Sequence, residues 1–406
     1  MLNIGLYLRH FPASGTPIVG GTATFVDGLA GGLHEIGAAV SVLCEGGERS
    51  SATAPGGYRV ECFPAARRRF DIGPAFKRHI GRRMGAAHAL MVVSGMFHPG
   101  AYAVGCAAAA SGVPYVACPF DPYSTSVFRR NAHLKWPYWF LFERRLLAHA
   151  TAIQVMDRRH AEPLARLGIR TPAIEVINGF PAHTVPRVVV PYRAAEPVRM
   201  LFLGRIDAYN KGLDVLLNAF GLVAASHDVR LTIQGPDWGD RARLQRQAAR
   251  LSLLDKVTFR DADYDRTGPE IMGDHDLFCL TSRFEGFSQS AIEAMLAARM
   301  VLVSETAGIA PHVEAAGCGL AVKPDVASVA NGMVALLNDR AHWKERGLNG
   351  RAYALSILPW KNVAANALQQ YQALAASADV IGNHPPASAV PSMALREHGI
   401  TEREEA

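Results

Sequence analysis

The chain has 406 residues, 49% of them hydrophobic, with six cysteines and a formal net charge of +6. That length exceeds what one hydrophobic core usually serves, and the apolar content is ample for two packed α/β units. No run reaches the roughly eighteen apolar residues of a membrane span, and the start lacks a basic region followed by a cleavable apolar segment, so a cytoplasmic protein is expected.

Along the chain, short apolar runs alternate with helical periodicity. Asn3–Leu8 reads as the first strand; a turn through Pro17 to Gly20 and Gly21 then leads into a helix carrying Leu29, Leu33 and Ile36 on one stripe. Val40–Cys44, Arg59–Cys62, Leu90–Ser94, Tyr115–Cys118, Ile153–Met156 and Ile174–Ile177 continue the first half as strands. The second half supplies Met200–Leu203, Arg230–Gln234, Val257–Arg260, Leu277–Leu280, Val301–Ser304 and Leu320–Val322. Strand and helix in steady alternation predict two doubly wound parallel sheets, with the Pro- and Val-rich stretch 183–197 as linker. Trp360 opens an amphipathic helix through Val363, Leu368, Tyr371 and Leu374, and the Pro/Ser/Ala-rich end reads as a disordered tail. The expected boundaries are 1–185, 186–358, a helix at 359–376 and a tail at 377–406. Cys44, Cys106, Cys118 and Cys279 lie in or beside apolar runs and none belongs to a C-x-x-C pair, which predicts core thiols.

Positive charge is concentrated. Residues 67–83 hold seven Arg or Lys against Asp71, and residues 129–145 hold five against Glu143. Removing these twelve basic and two acidic residues from the totals of 42 and 36 leaves 30 against 34, so the remainder is slightly acidic. The second cluster is interleaved with Trp136, Tyr138, Trp139, Phe140 and Phe142, a mixture that suits an anionic membrane surface, while Trp139, Phe142 and Leu146 share core-facing spacing. An ordinary solvated face is the alternative. No nucleic-acid-binding motif accompanies the basic residues, and none is expected to bind one. The triplets Asp261-Ala-Asp263, Asp263-Tyr-Asp265 and Asp274-His-Asp276 read as loop and boundary acids, so no metal site is expected.

Two loops carry the chemistry. After the strand at 200–203, Gly204-Arg205 turns toward Lys211-Gly212 and a helix anchored by Leu213, Leu216, Leu217 and Phe220. Arg205 can fork onto two phosphate oxygens and Lys211 can act as a point charge. After the strand at 277–280, Arg283-Phe-Glu-Gly-Phe-Ser288 climbs into a helix capped by Ser288 or Ser290. Free amides at that helix start, with Gly286, Phe287 and Ser288, suit a phosphate. Glu285 is positioned for sugar hydroxyls and Glu293 for a vicinal diol. These are the parts of a nucleotide-sugar site.

The same residues resemble the donor site of the retaining family-4 glycosyltransferases, in which Gly204-Arg205, Lys211-Gly212 and Asp214 are followed by Glu285-Gly-Phe-Ser and Glu293-Ala. The resemblance covers about residues 1–376 and implies the GT-B fold, two Rossmann-like domains facing across a cleft. It implies transfer from a nucleoside-diphosphate sugar to a carbohydrate or lipid-linked acceptor hydroxyl, with retention, in cell-surface polysaccharide or glycolipid synthesis. No cofactor beyond the donor is implied, and the enzyme would be cytoplasmic or peripheral on the inner face of the membrane. Arg205, Lys211 and Glu285 would be catalytic, Gly204 and Glu293 would hold the donor, and Gly20, Gly21, His98, Phe120 and Asp121 would line the acceptor side. Phe120 departs from the family, whose loop often has histidine there; Asp121, His98 and His10 are the candidate substitutes. A sugar-nucleotide epimerase of the same fold and a non-catalytic sugar-nucleotide-binding partner are the alternative functions.

Overall fold

The computed structural model describes residues 2–12, 16, 18, 20–84, 88–120, 123, 125–129, 131–193 and 197–381. The first of its two sheets contains β1 (Asn3–Tyr7), β2 (Ala39–Gly46), β3 (Ser50–Thr53), β4 (Arg59–Pro64), β5 (Ala89–Ser94), β6 (Tyr115–Cys118), β7 (Ala152–Val155) and β8 (Ala173–Glu175). Their order is β3-β4-β2-β1-β5-β6-β7-β8. The second contains β9 (Val198–Leu203), β10 (Val229–Gln234), β11 (Val257–Arg260), β12 (Leu277–Leu280), β13 (Met300–Ser304) and β14 (Gly319–Val322), ordered β11-β10-β9-β12-β13-β14.

Every strand read from the sequence is present; the central ones are apolar runs buried on both faces between helices, while the edge strands β8 and β11 are only partly buried. The strands β5, β6, β7, β12 and β13 are buried at every residue. One strand was not foreseen. β3 is a short polar segment at the sheet edge, paired antiparallel to β4, so the first sheet is parallel except for this edge. A polar, exposed edge gives no alternating apolar signal, and such edges discourage pairing with other chains.

In each sheet the strand order reverses beside the first strand of the unit: β1 lies between β2 and β5, and β9 between β10 and β12. Open α/β sheets present ligand crevices at the carboxyl ends of the strands flanking such a reversal. The chain past residue 182 is fastened to the second sheet's side, where Arg351 donates to the Pro186 carbonyl and the Tyr192 hydroxyl to the Ala298 carbonyl, each at 2.8 Å.

The helix Trp360–Ile381 packs on the helix Gly21–Glu35 of the first domain, with Trp360 edge-on to Phe25 at 5.4 Å. Tyr371 donates to the Gln154 side chain at 2.5 Å. This helix runs five residues into the stretch read as tail; residues 382–406 lie outside the described residues. The six cysteines are free, and Cys44, Cys118 and Cys279 are buried, but Cys106 is exposed rather than in the core. It sits on the outer turn of the Ala-rich helix Pro99–Ala110, where small residues on all sides conceal which face is inward.

Candidate active site

The loops after β9 and β12 are neighbours because those strands pair, Leu277 opposite Met200 and Phe278 opposite Leu201. Their side chains meet directly. Lys211 Nζ donates to Glu285 Oε2 at 2.5 Å, and Ser282 Oγ donates to the same oxygen at 3.1 Å. The two side chains are only 16% and 14% exposed, so the charge pair is largely withdrawn from water and weakly screened. Asp207 shapes the turn by accepting from the Asn210 amide at 3.0 Å and its side chain at 2.6 Å. Gly212 ends the turn in the left-handed region with φ 63°, and a Cβ there would lie 2.0 Å from the Thr281 carbonyl oxygen. No other residue allows the two loops this approach.

Arg283, whose place at the start of the motif does not reveal a role, holds the loops together. It forms two 2.8 Å bonds to Asp214 and a third, at 2.7 Å, to the Tyr209 carbonyl. Asp214 thereby keeps the Arg283 guanidinium above its ordinary pKa. Arg205 is exposed and stands over the Trp238 ring at 4.3 Å, a cation–π contact with the loop after β10 that belongs to no sequence motif. Ser288, not Ser290, caps the helix Gln289–Leu296, accepting from the Ala291 amide at 3.2 Å. The first amides of that helix have no acceptor within it, as at any helix start. Phe287 is buried edge-on to His312 at 5.3 Å, so its backbone rather than its ring faces the loop.

Glu293 lies against the start of the helix Gly268–Gly273; a Cβ on Gly268 would lie 2.1 Å from its Oε2. Burial pushes its carboxyl from the ordinary 4.5 up to about 7. In that interval the folded chain keeps a proton that the unfolded chain has released, so this group makes the protein less stable as pH rises from about 4.5 to 7. Glu143, raised to about 7 by its own burial, acts in the same direction. We expect Glu293→Gln to flatten the fall of melting temperature across that window. A pH profile identical to wild type would sink this assignment.

On the first domain, His98 follows β5 and caps the helix Pro99–Ala110, its Nδ1 accepting from the Gly100 amide at 3.1 Å. The neutral ring therefore carries its proton on Nε2, which lies 3.5 Å from Arg9. Burial, then Arg9 and His10, hold its pKa below the usual histidine range. His10 packs edge-on at 6.4 Å. Gly20 and Gly21 begin the helix that follows β1, at the same strand reversal. Phe120 differs from the acceptor-lining position assigned to it: its ring is buried, edge-on to Phe25 at 5.4 Å, and its backbone is in the left-handed region at φ 69°. Only its carbonyl is aimed across the cleft, toward Gly286. Asp121 lies outside the described residues.

The domains touch at this rim. Arg159, held by Asp157, donates to the carbonyls of Glu305 at 2.8 Å and Ala307 at 3.0 Å. The acidic triplets are engaged elsewhere: Asp261 pairs with Arg241 at 2.7 Å, Asp263 accepts from the Asp265 amide at 3.1 Å, Asp274 pairs with Arg266 at 2.8 Å, and Asp276 with Arg199 at 3.3 Å.

Two doubly wound domains whose strand carboxyl ends oppose one another, with the paired loops between them, make this a GT-B protein. Residues 197–339 match the family model of glycosyl transferases group 1, and residues 20–179 that of the glycosyl transferase 4-like domain; the chain belongs to this family of glycosyltransferases. It is 29% identical over 231 residues to a phosphatidyl-myo-inositol mannosyltransferase of Mycobacterium leprae, covering 55% of this chain and 59% of that protein. The chain thus spans little more than half the length of this curated relative. Among solved structures, sucrose-phosphate synthase from Thermosynechococcus elongatus superposes with a TM-score of 0.72 at 20% identity, over 93% of this chain and all of that one. Anabaena HepE, in complex with UDP and glucose, gives 0.67 at 17% identity, over 92% of this chain and all of that one. These two likenesses concern the fold.

Proposed function

We propose that the protein transfers a sugar, with retention at the anomeric carbon, from a nucleoside-diphosphate sugar to an acceptor hydroxyl in polysaccharide or glycolipid synthesis. The observation that carries this reading is the Lys211–Glu285 pair at 2.5 Å, which sets a cation and a carboxylate side by side at the strand reversal of the second sheet. A diphosphate arriving there draws Lys211 and Arg205, releasing Glu285 to accept from hydroxyls of the sugar. The growing negative charge on the leaving diphosphate is met by those two cations and the amides that follow Gly286, without a metal ion. Retention rests on the family resemblance, and HepE's complex with UDP and glucose supports a nucleotide-linked donor. The acceptor lies against the first domain near Gly20, Gly21 and His98, and the division at residues 185 and 186 separates acceptor and donor sides.

The basic segments 67–83 and 129–145 bring the enzyme to an anionic membrane surface, placing it peripherally. No helix among the described residues is long and apolar enough to cross a membrane.

The test separates the two glutamates. Glu293→Ala should weaken binding of the bare nucleoside diphosphate, measured by calorimetry across UDP, GDP and ADP. Glu285→Ala should leave that binding nearly intact and lower turnover with the full donor. Equal loss of nucleotide binding in both variants refutes the division of roles. Epimer formed from donor alone would make the protein an isomerase instead.

A further inference from the structure

We propose that the segment from Ala132 to Glu143 seats the protein in an anionic bilayer, with Leu134, Phe140 and Leu141 entering the interfacial layer. Leu134 is 63% exposed, Phe140 60% and Leu141 54%, a concentration of large apolar side chains in water on one short stretch. The reverse of the same stretch is core: Trp139 and Glu143 are almost wholly buried. Residues 139–143 form a π-helical turn, a geometry that is rare and gathers at functional sites.

Charge complementarity selects the occupant. Phe70 stacks on Phe142 at 4.3 Å, so the two basic segments, far apart in sequence, meet at one place. Exposed Arg67, Arg68 and Arg69 precede Phe70, and exposed Arg144 and Arg145 follow the turn, while the one acid of residues 129–145, Glu143, points inward. Apolar side chains rimmed by cations match the boundary between acyl chains and anionic headgroups.

The seat is tied to the acceptor side. Glu143 Oε1 accepts from the Phe97 amide at 2.9 Å and from the Tyr123 hydroxyl at 2.6 Å, fixing the loop that carries His98. Given the transfer reading above, the acceptor is then an amphiphile met at the bilayer surface, with its hydroxyl presented near His98.

The experiment uses the full chain with vesicles of phosphatidylglycerol and phosphatidylcholine, or phosphatidylcholine alone, some with brominated acyl chains. Co-sedimentation should favour the anionic vesicles, and the brominated lipid should quench tryptophan fluorescence. Trp136→Phe should remove most of that quenching, since Trp136 is exposed between Phe128 and Phe140. Joint Leu134→Ser, Phe140→Ser and Leu141→Ser should cut the bound fraction by about tenfold or more. Anionic binding without quenching would mean adsorption by charge alone and would overturn the proposal. So would a self-associated chain that ignores vesicles and becomes monomeric in the triple variant, since the patch would then be a protein interface. Thermal shift with nucleoside diphosphates is measured in parallel: no shift with any of them counts against the transfer reading and leaves the vesicle result to be judged separately.

Discussion

Lys211→Ala is expected to lower turnover by about ten- to a hundredfold, the loss of one charge-assisted contact worth roughly 1.5–3 kcal/mol to the departing diphosphate. The effect should exceed a simple loss of binding, because the lysine has a second task. In the free protein it neutralises Glu285 at 2.5 Å. Without it, that carboxylate stays half-buried beside the diphosphate and repels it. The double variant Lys211→Ala with Glu285→Ala should therefore bind the bare diphosphate better than Lys211→Ala alone, a non-additive pattern for groups in direct contact. Arg205→Ala should lower turnover on a similar scale, since the exposed guanidinium stands over Trp238 at 4.3 Å with no ion-pair partner among the described residues. Steady-state kinetics with melting temperatures as the control for folding check all three variants. Turnover unchanged in Lys211→Ala or Arg205→Ala would remove the diphosphate from this loop pair.

How much of this was legible in the sequence follows from what each signal measures. Buried parallel strands are apolar runs in one dimension, and Tyr115–Cys118 and Leu277–Leu280 have the bounds read from the chain. Strand β3 escaped because Ser50-Ser-Ala-Thr53 buries little and is set by its antiparallel partner. The motif residues were recognisable by type and spacing. Their mutual contacts were not, because the Lys211–Glu285 and Arg283–Asp214 pairs depend on β9 lying beside β12, a matter of sheet order. Phe120 shows the same limit. Its position in the loop was visible, whereas the left-handed backbone that turns its ring into the core against Phe25 was not. Arg159, which crosses between the domains, belongs to no motif and could be found only in three dimensions.

Gly286→Ala should lower turnover sharply while leaving nucleotide binding largely intact. A Cβ on Gly286 would lie 2.4 Å from the Phe120 carbonyl oxygen and 3.3 Å from the Met156 sulfur, both on the first domain. On its other side, the Gly286 carbonyl is approached so closely by Gly308 that a Cβ there would lie 2.1 Å away. The obstacle at Phe120 is backbone, so the added methyl cannot be relieved by a rotamer change. Either the loop carrying Glu285 retreats or the two domains separate. A displacement of about 1 Å at a reacting centre can cost on the order of a hundredfold in rate. Bare nucleoside diphosphate, held by the second domain through Arg205, Lys211 and Glu293, should bind within a few-fold of wild type. Calorimetry and single-turnover transfer measure the two quantities. If Gly286→Ala transfers at the wild-type rate, the contact between Gly286 and Phe120 is absent when sugar moves, and the catalytic form is a more open one.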